Sequence, residues 1–208
     1  MTTLNLQVGA SSDDAFQATD DTVNITFIAL TVDASTEHVG LRFTNVTIPS
    51  GAMISDARLT VKIVDSTSDE PKHRLRGQLA ANPGTFTTTS NNIDSRARTT
   101  AQVDWNVADL GATTDSLWEW GSPNGSPTSG ANLSSIIQEI INQGGWASGN
   151  AVVLIYEQIA PDDAARDLAI RTYDNAPGDA ASLSITYTLP EYRKSTIIRQ
   201  AIQRSVTR

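Results

Sequence analysis

The sequence predicts an all-β fold: a jelly-roll β-sandwich with one packed α-helix and a C-terminal extension. About eight to ten short segments alternate apolar with polar residues, and turn residues separate them, as in a sandwich. Only one segment of the body has a clear helical period. The chain has 208 residues and no cysteine, and this length buries a core without disulfides. We therefore predict one sandwich domain, residues 1–190, followed by a basic arm, residues 191–208.

The first half of the chain contains the clearest strand pattern. Residues 39–64 hold two alternating segments on either side of Pro49, Ser50 and Gly51. Proline cannot donate to a β-ladder and Ser-Gly favours a tight reversal, so this stretch predicts a hairpin with one solvent-facing side. Further strands are predicted at residues 4–8, 23–31, 73–81 and 101–107. Residues 85–100, rich in Thr, Ser and Asn, are predicted to form an ordered surface loop anchored by Phe86 and Ile93.

The second half is predicted to hold the helix and the last strands. From Leu133 to Ile141 the apolar residues fall at i, i+3, i+4, i+7 and i+8, one face of a helix. Asn132 suits its N-cap, and the Gly144-Gly145 pair suits its end. The apolar run 151–156 is too short for a helix and predicts a buried central strand. Strands at 167–173 and 182–188 complete the sandwich.

Charge is distributed unevenly along the chain. The formal net charge is -8; residues 191–208 carry five basic residues and one acid, so residues 1–190 carry 10 basic and 22 acidic residues. An acidic body repels phosphate, so we expect neither nucleic acid nor an anionic membrane as a partner. The first residues lack the basic and apolar regions of a signal peptide, which predicts a soluble protein made in a cytoplasm.

Several motifs, in order, carry a family resemblance. They are V-G-L-R-F-T-N-V-T-I-P-S-G-A-x-I-x-x-A (39–57), L-R-G-Q (75–78), T-F-T-T-T-S-N-N-I-D-S-R-A-R-T-T-A-Q-V-D-W (85–105), L-S-S-I-I-Q-E-I-I-N-Q-G-G-W-A-S-G-N-A (133–151) and R-T-Y-D-N (171–175). From about residue 13 to residue 187 the chain resembles non-catalytic β-sandwich modules of large secreted and surface-anchored bacterial proteins, which are similar to jelly-roll carbohydrate-binding modules. The resemblance implies a binding or structural role. The chain departs from it by lacking a secretion signal and partner modules and by ending in a basic segment, and these departures suggest a bacteriophage virion protein, because particles leave the cell by lysis.

Catalytic and metal chemistry find little support in the sequence. The two histidines, His38 and His73, lie beside polar loops with no motif around any serine, so we predict no enzyme and no cofactor. The acidic pairs Asp13-Asp14 and Asp20-Asp21, together with Asp174, offer oxygen ligands suited to Ca²⁺ if the first and last strands pair. Paired aspartates also cap turns, and we predict no metal.

Trp118 and Trp120 flank Glu119, so in a strand both rings share one face. Such a pair forms either a platform for a glycan or part of a core, and core packing is the commoner arrangement. Trp105 and Trp146 are predicted to be core residues.

The basic arm carries the most specific binding hypothesis. Ile197, Ile198, Ala201, Ile202 and Val206 approximate one face of a helix, with basic residues beside it. We expect the arm to dock on another subunit through a set of six residues: Arg193, Lys194, Ile198, Arg199, Ile202 and Arg204. Folding back onto its own body is the alternative.

These observations together predict a non-enzymatic virion structural protein, a bacteriophage capsid decoration or tail-associated protein anchored by its arm. Its expected partners are the major capsid or tail protein, and it is expected to form a homo-oligomer within the particle. The alternative is a glycan-binding jelly-roll module that acts at a cell surface.

Overall fold

The computed structural model describes residues 1–32, 36–64, 72–106, 110–123, 125–159 and 169–189. These residues form two antiparallel sheets packed face to face, a small two-stranded sheet and one helix. The strands are β1 (Thr2–Gln7), β2 (Asp14–Gln17), β3 (Val23–Asn24), β4 (Ala29–Leu30), β5 (His38–Val46), β6 (Met53–Lys62), β7 (Lys72–Gln78), β8 (Arg98–Asn106), β9 (Leu117–Glu119), β10 (Asn150–Gln158), β11 (Ile170–Arg171) and β12 (Ser182–Thr188). The helix, α1, spans Ser134–Ile141, and the segments Ser11–Asp13 and Pro177–Asp179 form 3-10 turns.

The strand order confirms the jelly-roll prediction. One sheet has the order β1-β12-β6-β9, and the other has the order β3-β2-β5-β10-β7-β8. Setting aside β2, β3, β4 and β11, four strands remain in each sheet, and their orders, β1-β12-β6-β9 and β5-β10-β7-β8, are those of an eight-stranded jelly roll. The inner faces of both sheets supply the main core, with Phe43, Leu59, Leu154 and Ile185 among its fully buried side chains.

The predicted hairpin at residues 39–64 is wrong in its pairing. Both segments are strands, but β5 pairs with β2 and β10, whereas β6 pairs with β12 and β9. The turn at Pro49–Gly51 therefore carries the chain from one sheet to the other. Alternation indicates which face of a strand is buried, and both sheets bury one face, so the pattern does not identify the pairing partner.

The predicted strand at residues 23–31 is divided. Asn24 ends β3 because its side-chain oxygen accepts the Thr26 amide at 2.8 Å, an Asx-type turn that replaces ladder hydrogen bonds. The chain next forms a strand at β4, which pairs with β11 in the small sheet. The strand β2 was not among the predicted strands; it begins at Asp14, and both Asp13 and Asp14 are buried at its start.

The helix α1 packs its predicted apolar face on the core. Ile136, Ile137, Ile140 and Ile141 are buried. Asn132 lies two residues before the helix and accepts the Ser134 amide at 2.9 Å and the Ala57 amide at 3.0 Å. It therefore satisfies one free amide of the first turn and also fixes the helix to β6.

The loop between β7 and β8 covers the outer face of the six-stranded sheet, as its two anchors predict. Phe86 and Ile93 form a second buried cluster with Val153 and Ile155 of β10. Gly40 leaves room for the Phe86 ring, because a β-carbon there would lie 2.3 Å from Phe86 Cζ. Both faces of β10 are consequently buried, which explains its continuous apolar sequence.

Candidate functional site

The two candidate glycan-binding tryptophans lie in the core. Trp118 is 3% exposed and Trp120 is 1% exposed. The Trp118 indole donates to Ser116 Oγ at 2.9 Å, and the Trp120 ring packs at 5.2 Å from the Trp105 ring and 5.1 Å from the Tyr156 ring. Neither ring presents a face to solvent, so the pair does not form a sugar platform. The side-by-side spacing expected of a platform also allows two rings to enter a core, and burial distinguishes the two arrangements.

Three of the five candidate aspartates converge at the rim between the sheets. Asp13 forms an ion pair with Arg42, with 2.6 Å between Oδ1 and Nη1. Asp14 accepts the Tyr173 amide at 2.8 Å, and Asp174 accepts the Ser11 hydroxyl at 2.8 Å. These bonds connect the start of β2 to the turn after β11, as expected if the first and last parts of the chain meet.

This acidic cluster has a perturbed titration. Burial raises the pKa of Asp14 to about 7; the hydrogen bond from Tyr173 opposes the rise, and the charges of Asp174 and Asp13 add to it. Hydrogen-bond donors already occupy one oxygen of each carboxylate. Across the described ranges, no group of three or more His, Asp or Glu side chains is arranged to hold a metal ion.

The other acidic pair lies apart from this cluster, in the turn between β2 and β3. Asp20 accepts the Thr22 amide at 3.1 Å, and Asp21 adopts a positive φ of 65°. The cause of the lowered pKa of Asp20 is its bonds from Thr22. These two residues shape a turn, the role weighed against calcium binding.

The histidines serve the fold. His73 is fully buried, and its Nε2 lies 3.0 Å from the Val32 carbonyl oxygen. Burial lowers the pKa of His73 to about 4, so the ring is neutral near pH 7. His38 Nε2 lies 3.3 Å from Asp94 and 3.5 Å from Glu157. Among the described contacts, neither ring meets a serine hydroxyl, so a nucleophile-base pair is not assembled there.

His38 belongs to a network of charges on the outer face of the six-stranded sheet. Arg76 lies 3.6 Å from Glu157, and Arg98 lies 3.7 Å from Asp94. Burial raises the pKa of Glu157, but the bond from His38 and the charges of Arg76 and Arg98 outweigh it, so the pKa is lowered. The network neutralises a half-buried carboxylate between β5 and β7.

An exposed aromatic cleft was missed by the sequence analysis. Phe16, Phe27, Thr31 and Glu37 line a cleft of about 110 Å³. The rings of Phe16 and Phe27 lie 5.6 Å apart, and Phe27 is 44% exposed. The alternating pattern predicts that Phe27 belongs to a strand at residues 23–31. The Asx-type turn at Asn24 ends that strand before Phe27. No local signal in the sequence marks the cleft.

The six predicted docking residues of the arm, Arg193 to Arg204, lie outside the described residues. Within the described part of the chain, no helix is both long and apolar enough to cross a membrane. Comparison with known proteins gives no family: no protein-family model matches the chain, and no curated protein matches it.

Proposed function

We propose that this chain is a non-enzymatic virion structural protein, displayed on a bacteriophage particle as a capsid decoration or tail-associated protein and anchored by its basic arm. The partners are the major capsid or tail protein and further copies of the chain. The proposal extends the family resemblance that the sequence motifs carry.

The division of charge between body and arm carries the proposal. Residues 1–190 hold 22 acidic and 10 basic residues, and residues 191–208 hold five basic residues and one acid. The cations of the body are largely committed to it: Arg42, Lys62 and Arg171 pair with Asp13, Asp179 and Asp115 at 2.6 to 2.8 Å. Excess acidic charge is therefore available on the body of a neighbouring copy as a counter-surface for a basic, amphipathic arm.

The polar interior also favours a structural role. Gln17 is fully buried and its side-chain oxygen accepts the amides of Ile93 and Asp94 at 2.8 and 3.0 Å. Arg96 donates to the carbonyls of Asn92, Gly84 and Thr85. Such side chains hold the covering loop in place.

The test is mass spectrometry of purified particles from the source, followed by incorporation of variants. Replacing Arg193, Lys194, Arg199 and Arg204 with Gln should remove most of the chain from particles, and replacing Ile198 and Ile202 with Ser should do the same. Arg208→Gln, in the same arm, is the matched control and should be incorporated normally. Absence of the wild-type chain from every particle would contradict the proposal.

Glycan binding remains a second proposal because of one feature, the aromatic cleft. A glycan would stack on the exposed ring of Phe27 and hydrogen-bond to the carboxylate of Glu37, since both side chains line this cleft. A glycan array with purified protein tests it. A defined ligand that is lost in Phe27→Ala and retained in Thr88→Ala, a control at an exposed residue outside the cleft, would support this role. Absence of any ligand would remove it.

A further inference from the structure

The strand β1 forms one edge of the four-stranded sheet, and its outward backbone groups can be assigned. β1 pairs only with β12 in the described sheets. The Val8 amide donates to the Ala181 carbonyl at 3.0 Å, so Val8 and Ala181 are a hydrogen-bonded pair. Such pairs alternate along an antiparallel ladder. Leu4 and Leu6 therefore bond to β12, and Thr3, Asn5 and Gln7 point their amides and carbonyls away from the sheet.

The other sheet edges are short or covered. β3 has two residues and β9 has three. The long edge strand β8 is covered by α1, where the Glu139 carboxylate accepts the amides of Thr100 and Ala101, both at 2.8 Å. β1 has six residues, with no charge and no proline. It lacks the features by which proteins prevent a sheet edge from pairing with another chain.

The edge is complementary to a second copy of itself. Two β1 strands can pair antiparallel about a two-fold axis at Asn5, which places Thr3 opposite Gln7 of the second copy. All three outward residues then form hydrogen-bonded pairs. The same register places Leu4 opposite Leu6 on the core side, where both side chains are only half-buried in the single copy. Their contact would remove the remaining apolar surface of both leucines from water.

The charge pattern permits this contact between two acidic molecules. Residues 1–12 and 180–190 contain no charged side chain. On β6, which β12 separates from β1, Arg58 pairs with Asp56 and Lys62 pairs with Asp179, both at 2.8 Å. The edge is thus a neutral strip on a molecule of net charge -8, and like-charge repulsion is weakest there.

We propose that β1 is a homotypic docking edge, at which a second copy of the chain adds its own β1 antiparallel with Asn5 on the two-fold axis. The two four-stranded sheets become one sheet of eight strands, and the interface closes as an isologous dimer. This interface goes beyond the virion proposal and does not depend on it. The chain's own arm, residues 191–208, is the competing occupant of the edge.

Sedimentation equilibrium of the full chain over a wide concentration range tests the interface. The wild type should dimerise. Asn5→Pro removes an outward amide without removing a bond to β12, and Asn5→Lys places two like charges at the axis, so each should weaken dimerisation about tenfold or more. Thr60→Lys is the matched control, because it adds the same charge to β6 of the same sheet, and it should dimerise like the wild type.

Amide hydrogen exchange of the wild type separates the occupants and does not depend on any variant folding. The amides of Asn5 and Gln7 should become protected only as the concentration rises through the dimerisation range. Protection that is independent of concentration would assign the edge to the chain's own arm and overturn the proposal. A monomeric wild type, or a dimer unaffected by both Asn5 variants, would also overturn it.

Discussion

The outer faces of the two sheets differ in whether another part of the chain covers them. The six-stranded sheet is covered by a loop whose Phe86 and Ile93 form a buried cluster on Val153 and Ile155. The outer face of the four-stranded sheet presents polar side chains at the surface, with Thr3, Ser184 and Thr186 on β1 and β12 and the Arg58–Asp56 ion pair on β6. One face is therefore part of the interior, and the other is a surface that a partner can approach.

Removing the anchor of the covered face should produce the largest effect. Phe86→Ala empties the centre of the outer cluster and leaves a cavity against Gly40, which should lower the free energy of unfolding by about 3 to 5 kcal/mol. Chemical denaturation measures the change. Thr88→Ala, exposed in the same loop, is the control and should change it by less than about 0.5 kcal/mol. Equal effects of the two variants would show that the loop does not stabilise the sheet.

Removing the side-chain hydrogen bonds that hold the same loop should have the next largest effect on stability. Gln17→Leu keeps a buried side chain of similar size but leaves the amides of Ile93 and Asp94 without their acceptor. An unsatisfied buried donor costs about 1 to 3 kcal/mol. The free energy of unfolding should therefore fall by about that amount for each of the two amides that stays unpaired. Faster hydrogen exchange at these two amides identifies the cause. Unchanged exchange there would contradict the assigned role of Gln17.

The rim between the faces should respond to pH through Asp14. Its pKa rises from 3.8 to about 7 on folding, so the native state binds more protons between these values. The stability that the neutral carboxyl supplies is complete below pH 3.8 and is lost as the pH rises through 7. Asp14→Asn keeps an acceptor for Tyr173 without the charge. It should therefore match the wild type near pH 4 and exceed it by about 1 to 3 kcal/mol at pH 8.

Denaturation of both proteins across this pH range provides the measurement. Asp104→Asn, at an exposed ion pair with Arg74, is the control and should not reproduce the crossover. A constant difference between Asp14→Asn and the wild type from pH 4 to pH 8 would contradict the titration of Asp14.

Substitutions on the outer face of the four-stranded sheet should have the smallest effect on stability. Ser184→Ala and Thr186→Val change side chains on the outer surface of β12, with no loss of core contact, and each should alter the free energy of unfolding by no more than about 0.5 kcal/mol. A loss as large as that of Phe86→Ala would mean that the four-stranded sheet is also covered, and the contrast between the faces would disappear.

Local patterns were sufficient for elements whose environment repeats along the chain. β12 matches the predicted strand at 182–188, and the apolar run at 151–156 lies in β10 at the centre of its sheet. The helix was predicted because its period of 3.6 residues matches burial on one side. In these segments each residue's environment is set by its own position in the strand or helix.

Other features depend on residues distant in sequence. The strand β2 was missed because Asp13 and Asp14 are polar, and only Arg42 and Tyr173 make their burial tolerable. The tryptophan spacing was recognised, yet alternation cannot say whether the shared face is inner or outer. The cleft at Phe16 and Phe27 arises from a strand break that one side-chain hydrogen bond at Asn24 creates.

The position of β12 has a consequence for synthesis of the chain. β12 lies between β1 and β6, so the last described strand separates the first strand from the rest of its sheet. While residues 182–188 are still inside the ribosome, β1 has no neighbour in the described sheets to pair with, and one edge of β6 stays unpaired. Closure of the four-stranded sheet must therefore wait until residues 182–188 have left the ribosome. Nascent chains are exposed to aggregation until that moment, and a nonsense mutation just before Ser182 would leave β1 and β6 without the strand that joins them.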